Sequence, residues 1–410
     1  MDTYETRAKY NIAETCCDSI SVEQLQSLSE IKDVSIVPTS KRLDYGEIRG
    51  SSELRQNLAN LYSSKVSTPL PPENILITQG AISANTLIFY ALVQPGDHVI
   101  CHYPTYQQLY VVPASLGAEV SLWRATPEKQ WIPSLDELKA LIKPNTKLII
   151  INSPNNPTGT ILPKSLLQDL VNLASEHSIT ILSDEVYRPI FHSITPISPD
   201  FPPSILSLGY THTIVTGSLS KAYSLAGIRI GWLASRSPEI IERVAAARHY
   251  TILSVSQLDS AVAAFALSPQ TVHALLGRNI GLAKGNLELL ERFVIKHDDI
   301  CSWTKPLAGT TAFVQFRREG KPVDDVVLCK RLVEETGVLW VPGHCFGKGR
   351  DFAGYVRIGF VCAEDVLKEG LEKVRTWFKK EFDDLPLMEQ KIIEDVEMSV
   401  RSAEAHHFND

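Results

Sequence analysis

From position 74 to 220 the chain alternates short apolar runs with helix-forming stretches, and this alternation restricts the possible fold more than any other feature. The runs are NILITQG, DHVICHYPTY, AEVSLWRA, KLIIINSP, TILSDEVY and TIVTGSLS; the helical patterns between them begin near Ala81 and Gln107, then follow SLDELKALI and PKSLLQDLVNLASEH. Residues 148–151 are apolar at every position and 179–182 at all but Thr180, as strands covered on both faces should be. Repeats of this kind predict an α/β domain on a mostly parallel sheet. Ligands of such sheets collect beyond the carboxyl ends of the strands. The residues delivered there are Gln79-Gly80-Ala81, 103–106, 153–159, 184–187 and 218–221, all polar, aromatic or glycine-containing.

A chain of 410 residues exceeds one ordinary core and predicts two domains. We expect an N-terminal arm with part of the smaller domain over 1–40, the large domain over 41–268, a bridging helix and a smaller α+β domain over 269–385, and a polar tail over 386–410. Ser21 should cap a helix at SVEQLQSLSEI, and Ser51 or Ser52 another that buries Leu54, Leu58 and Leu61. Beyond Gly231, helices are expected over 238–250, 256–267 and 269–297. In the smaller domain, strands are expected over 310–316, 338–341 and 355–360, and helices over 323–336 and 363–382. His406-His407, near the end of the tail, is a possible metal pair or a frayed terminus.

A formal net charge of −7 argues against a nucleic-acid partner, which calls for a basic patch. No run of eighteen apolar residues predicts a membrane span, and the first residues, MDTYETRAKYNIAETCC, lack the apolar core of a secretory signal. Seven scattered cysteines with no CxxC spacing suggest free thiols in a reducing, cytoplasmic setting.

At the strand ends, each residue allows two readings. Lys221, alone among small residues after an apolar run, is a solvated turn lysine or a desolvated amine suited to Schiff-base chemistry. Asp184 caps the turn that follows it, or serves a cationic partner such as a protonated ring nitrogen. Gly80, Ala81 and Ile82 open a helix whose backbone N–H groups suit an anion; Ser218, Ser220 and Arg229 add hydroxyls and a cation, although an arginine there also suits a structural salt bridge. Tyr106 is core or a stacking surface, Tyr187 offers a phenol, and Asn156 lies in an ordinary NNPTG turn or donates to a phenolate-type oxygen.

Seven motifs in order resemble the class I/II aminotransferases, the fold-type I enzymes that use pyridoxal 5′-phosphate. They are YG…G…LR (Tyr45, Gly46, Gly50, Leu54, Arg55), YPxY at 103–106, NNPTG at 155–159, DEVY at 184–187, SxSK at 218–221, RxG at 229–231 and VRIGF at 356–360. The resemblance covers roughly residues 43 to 360. It implies a large domain with a mostly parallel seven-stranded sheet plus a smaller α+β domain. Lys221 would carry the cofactor as a Schiff base, Asp184 would face the pyridinium nitrogen, Asn156 and Tyr187 the ring oxygen, and Tyr106 the ring face. Gly80, Ala81, Ile82, Ser218, Ser220 and Arg229 would hold the phosphate, with Tyr45 reaching it from the other subunit of a homodimer. Arg357 would bind the substrate α-carboxylate.

Two departures stand out. Ordinary members carry a glycine in the N-terminal segment that lines the substrate, whereas this chain has NIAETCCDSIS. Glu14, Thr15, Cys16 and Cys17 are therefore substrate-side candidates, with plain burial of the cysteines as the competing reading. His344, in GHCFG, stands where a small residue is usual. Transamination of an α-amino acid is the leading expectation. The alternatives are an amino-acid cyclase, lyase or oxidase, of the capreomycidine-synthase-like or arginine-oxidase-like kind, and a non-catalytic domain of the same fold.

Overall fold

The structure, a computed structural model, describes residues 4–31, 35–64, 68–347 and 351–388; His406-His407 and most of the expected tail lie outside them. The chain divides into two compact units. One, the sheet unit, comprises Thr15–Lys284 and Pro306–Thr310; the other comprises Met1–Glu14, Gly285–Lys305 and Thr311–Asp410.

Seven strands form the sheet unit's core: β1 (Ile75–Thr78), β2 (His98–Tyr103), β3 (Glu119–Arg124), β4 (Thr146–Asn152), β5 (Thr180–Asp184), β6 (Thr213–Ser218) and β7 (Gly231–Ser235). Their order is β1-β7-β6-β5-β4-β2-β3. Six point one way; only β7 is antiparallel to its neighbours. Strands β1, β2, β5, β6 and β7 are buried along nearly their whole length, as strands of a sheet covered on both faces should be.

Because β7 runs backwards, its first residue lies at the edge where the other strands end. Gly231 is in register with both Thr78 of β1 and Ser218 of β6, and Asp184 is in register with Asn152 and Thr216. The helix Gly80–Leu92 starts directly above this point. A Cβ at Gly231 would collide with the Gly80 carbonyl carbon and the Ala81 nitrogen, so glycine is what allows the helix to start there.

Local sequence signals account for the helix ends. Ser21 caps Val22–Leu28 in a reciprocal capping box with Gln24. Of the two candidate serines, Ser51 caps Ser52–Ser63 by accepting from the Leu54 N–H; Leu54 and Leu58 are buried, and Leu61 is half-buried. Pro238–Arg248 stops two residues short of expectation, where the buried Arg248 turns to donate to the carbonyls of Ile77 and Leu253. The long helix spans Val272–Lys296.

In the second unit, Thr311–Arg318 pairs antiparallel with Tyr355–Gly359, Cys301–Trp303 and Lys321–Pro322. The single strand expected over 338–341 is instead two short ones. Val338–Leu339 runs parallel to Tyr10–Asn11, and Val341–Pro342 pairs with Tyr355–Gly359. Between them the buried Trp340 stacks on Phe316 (5.6 Å) and meets Phe378 edge-on, so the ladder changes partner where the indole enters the core. Helices Asp325–Thr336 and Glu364–Glu381 complete this unit.

Replacing Gly231 by alanine should lower unfolding free energy by about 1–3 kcal/mol, the usual cost of forcing atoms into a filled site. Gly227→Ala, where an added Cβ meets nothing within 4 Å, should leave the denaturation midpoint nearly unchanged. Equal denaturation midpoints for the two variants would refute the close-approach argument.

Candidate active site

All the residues expected to hold the cofactor lie in the sheet unit, and most of them meet at the strand-end edge. Strand β6 ends at Ser218, and residues 219–230 form a loop that returns into β7. Leu219 N–H donates to the Ile230 carbonyl (3.0 Å) and Leu225 N–H to the Leu219 carbonyl (3.1 Å). Inside that loop the Ser218 hydroxyl donates to Ser220 Oγ (2.8 Å), and Arg229 Nη1 reaches the same Ser220 Oγ at 3.3 Å. Arg229 stands at φ 54°, a left-handed conformation that costs a non-glycine residue about 1 kcal/mol or more. Across the edge, Gly80 is at φ 75°, and a Cβ there would come within 2.8 Å of Arg229 Nη2. Two hydroxyls, a guanidinium and a helix start thus come together at one point of the edge, an arrangement that suits a phosphate.

Asp184 ends β5 and is 4% exposed. Burial pushes its carboxyl up to about 6; the Val186 N–H, the Asn85 amide and, at longer range, Lys221 pull it down, while Glu185 pushes it up. Its Oδ1 accepts from the Val186 N–H (3.2 Å) and its Oδ2 from Asn85 Nδ2 (3.2 Å). The carboxylate therefore does cap the turn after it, yet remains insufficiently solvated to ionise at its ordinary pH. A cation placed against it would remove that penalty.

The remaining polar groups are fixed by their own backbone. Asn152 receives the Asn156 N–H (2.8 Å) and donates to the Asp184 carbonyl (2.9 Å), which ties the NNPTG turn to β5. Asn155 donates to the Pro104 carbonyl (3.1 Å), joining that turn to the segment before Tyr106. Tyr187 is buried in a cluster with Ala81 and Val186. Tyr106 is 41% exposed, which rules out the core reading for it. Ile82 is 47% exposed and turns its side chain into an apolar surface groove with Thr86, Tyr90 and Ile252. Tyr45 is 79% exposed in a cleft with Gly46, Val255 and Gln257.

Lys221 follows this cradle, half-buried, and its Nζ donates to Cys16 Sγ at 3.4 Å. The arm is laced to the lysine loop: Cys17 N–H donates to the Lys221 carbonyl (3.1 Å) and Ile20 N–H to the Ser224 carbonyl (3.2 Å). Arg278 anchors the arm through Asp18, with Nη2 to Oδ2 at 2.7 Å. Thr15 is buried. Cys17 is buried too, and desolvation, chiefly, pushes its thiol up to about 12, so it remains an unreactive filler.

Arg357 and Glu14 belong to the second unit. Arg357 is 7% exposed; its Nη2 donates to the Ala13 carbonyl (2.7 Å), and its guanidinium lies 5.1 Å from the Phe346 ring. Gly359 N–H donates to the Ile12 carbonyl (2.8 Å), fixing the arm beside the Arg357 strand. His344 is exposed, and its N–H donates to Asp325 Oδ2 (3.0 Å). Sequence reasoning missed Asn85 and Phe346. Asn85 carried a signal, an amide in a mostly apolar helix, whereas Phe346 looked like any core aromatic.

A family model described as aminotransferase class I and II matches residues 20–374. Among curated proteins, the chain is 31% identical to capreomycidine synthase of Streptomyces vinaceus, over 75% of each chain. It is 29% identical to aspartate aminotransferase of Thermotoga maritima, covering 80% of this chain and 82% of the other. Among solved structures it resembles a PLP-dependent aminotransferase from Streptococcus suis, with a TM-score of 0.83, 38% identity, and coverage of 92% of this chain and 96% of that one.

The raised Asp184 carboxyl carries a pH signature. Its folded value lies above the ordinary 3.8, so without a cation the folded state loses stability as pH rises from about 4 to about 6. Across that window the cofactor-free Asp184→Asn variant should gain on wild type by about 3 kcal/mol, two pH units at 1.36 kcal/mol each. Thermal melts at pH 4 and pH 7 check this, and a difference that does not change with pH would contradict it.

Proposed function

The chain belongs to the class I and II aminotransferases, enzymes that work with pyridoxal 5′-phosphate, and from that premise we propose that it transfers the amino group of an α-amino acid through Lys221. One observation carries the reading: Lys221, the buried Asp184 and the cradle of Gly80, Ser218, Ser220 and Arg229 occupy one strand-end edge of one unit. Their chemistry fits the cofactor. The cradle suits a dianionic phosphate, the Asp184 carboxyl calls for a cation such as a protonated ring nitrogen, and a lysine amine follows immediately in sequence.

When bound, the cofactor supplies a carbonyl carbon that takes up amines and a ring that stores an electron pair. The chain's residues do the rest. Ser218, Ser220, Arg229 and the N–H groups of Gly80, Ala81 and Ile82 bind the phosphate. Asp184 would keep a proton on the ring nitrogen, Asn156 and Tyr187 would serve the ring oxygen, and Tyr106 would offer its face to the ring. Lys221 Nζ would anchor the cofactor and, as a free amine, would move the substrate α-proton as a general base. Arg357 binds the α-carboxylate as a fork, oriented by the Ala13 carbonyl and the Phe346 ring. Glu14 and Thr15 would serve the side chain of the substrate.

We further propose a homodimer. Tyr45, Ile82, Tyr90, Tyr106 and Tyr250 are large apolar residues left exposed on the sheet unit, and a second copy covering them would let Tyr45 reach the partner's phosphate. All seven cysteines are free, which supports a cytoplasmic setting. Among the described residues no helix is long and apolar enough to cross a membrane. A second reading, an amino-acid cyclase, lyase or oxidase, is favoured by the similarity to capreomycidine synthase and by the thiol beside Lys221.

Purified protein should be yellow, and Lys221→Ala should lose both the colour and all turnover. An amino-donor screen should convert the yellow form to pyridoxamine phosphate with release of a keto acid. Ammonia release or oxygen uptake without that conversion would reject transamination in favour of the second reading. Arg357→Lys should raise KM for the donor by roughly 10- to 100-fold, the equivalent of about 1.5–3 kcal/mol for a charge-assisted hydrogen bond.

A further inference from the structure

Cys16 Sγ lies 3.4 Å from Lys221 Nζ, with the amine donating. The sulfur is held there by more than side-chain packing. The next residue's N–H donates to the carbonyl of Lys221 itself, Ile20 N–H donates to Ser224 three residues further along the loop, and Arg278 clamps the arm by a 2.7 Å ion pair to Asp18. On the other side of the loop, Asn279 Nδ2 donates to the Ala222 carbonyl (2.8 Å) and Oδ1 accepts from Ser224 (3.1 Å). Backbone hydrogen bonds thus fix arm and lysine loop to each other. The two adjacent cysteines differ sharply: Cys17 is fully buried, whereas Cys16 is half-buried and points at the amine.

We propose that Cys16 is a positioning residue for Lys221, whose sulfur holds the amine in place and tunes how readily that nitrogen gives up its proton. This deepens the proposed function and rests on Lys221 being the cofactor-bearing lysine. Sulfur is polarisable and weakly basic, so it accepts from the lysine N–H without taking the proton at neutral pH. An amine held in this way starts from a fixed place when it becomes the base. Proximity acts in the other direction as well, because an ammonium group next to a thiol favours its thiolate.

Two measurements on the full-length chain test the pair. The first is alkylation of Cys16 by iodoacetamide, followed peptide by peptide at pH 7.5 after the cofactor has been removed by dialysis. Lys221→Gln should slow it by about 3- to 10-fold, corresponding to one half to one unit of thiol pKa, while the exposed Cys345 reacts at its former rate. The second is the pH midpoint of the visible band of the loaded protein. Cys16→Ala should move it by about half a unit or more, and Cys16→Ser, which keeps an acceptor at the same position, should restore most of the shift. Thermal melts of the variants establish that they fold. Equal alkylation rates in wild type and Lys221→Gln would overturn the proposal, as would equal midpoints in wild type and Cys16→Ala. A wild-type chain that never turns yellow would count against the proposed function alone, and the alkylation experiment would still decide the pairing.

Discussion

The contact between two stretches of backbone at Gly231 and Gly80 is the constraint on which the site depends. Strand β7 enters the sheet antiparallel, between β1 and β6, and must begin directly beneath the first turn of the helix that follows β1. No side chain fits between them. That contact brings the anion cradle together, since Arg229 lies two residues before Gly231 and its guanidinium takes the space a Cβ on residue 80 would need. The left-handed turn at Arg229 is the local cost of bringing a long cation back to the edge it would otherwise leave.

Electrostatics gives the edge its second property. Asp184 is placed among apolar strands with an amide and a backbone N–H as its near partners, fewer than a carboxylate has in water. Such a group is poorly stabilised alone and becomes well stabilised when a cation arrives. Lys221 contributes at longer range, and Glu185, immediately adjacent, opposes ionisation but is itself occupied by Arg188 and by the Ile205 N–H. The sheet therefore holds two environments side by side, one ready for an anion and one for a cation.

Much of this was legible in the sequence because strand periodicity and strand-end chemistry are local properties. The apolar runs that give β1, β2, β4, β5 and β6 stood out, and so did Lys221, Asp184, Ser218, Ser220 and Arg229 at their ends. What stayed hidden depends on long-range placement. Nothing in the sequence near Trp340 signals that its ring enters the core and splits one strand into two. Asn85 lies 99 residues from Asp184, and Phe346 lies 11 from Arg357 with no motif to join them. The glycine-free arm was visible as a departure, but which of its two cysteines meets the lysine follows only from the hydrogen bonds of Cys17 and Ile20.

The reversal of β7 also bears on how the site assembles. Ser218 and Gly231 are register partners in an antiparallel pair, so the loop holding both Lys221 and Arg229 closes as a single hairpin. Closing so short a loop is entropically cheap and fast, whereas the parallel neighbours β5 and β6 need a crossover before they can pair. The amine and the guanidinium are thus local partners in chain order, while Asp184 and Gly80 join them only through contacts of high sequence separation. A loop transplant that preserves the β6–β7 register would carry the two cations together, but it would leave behind the carboxylate and the helix start against which they work.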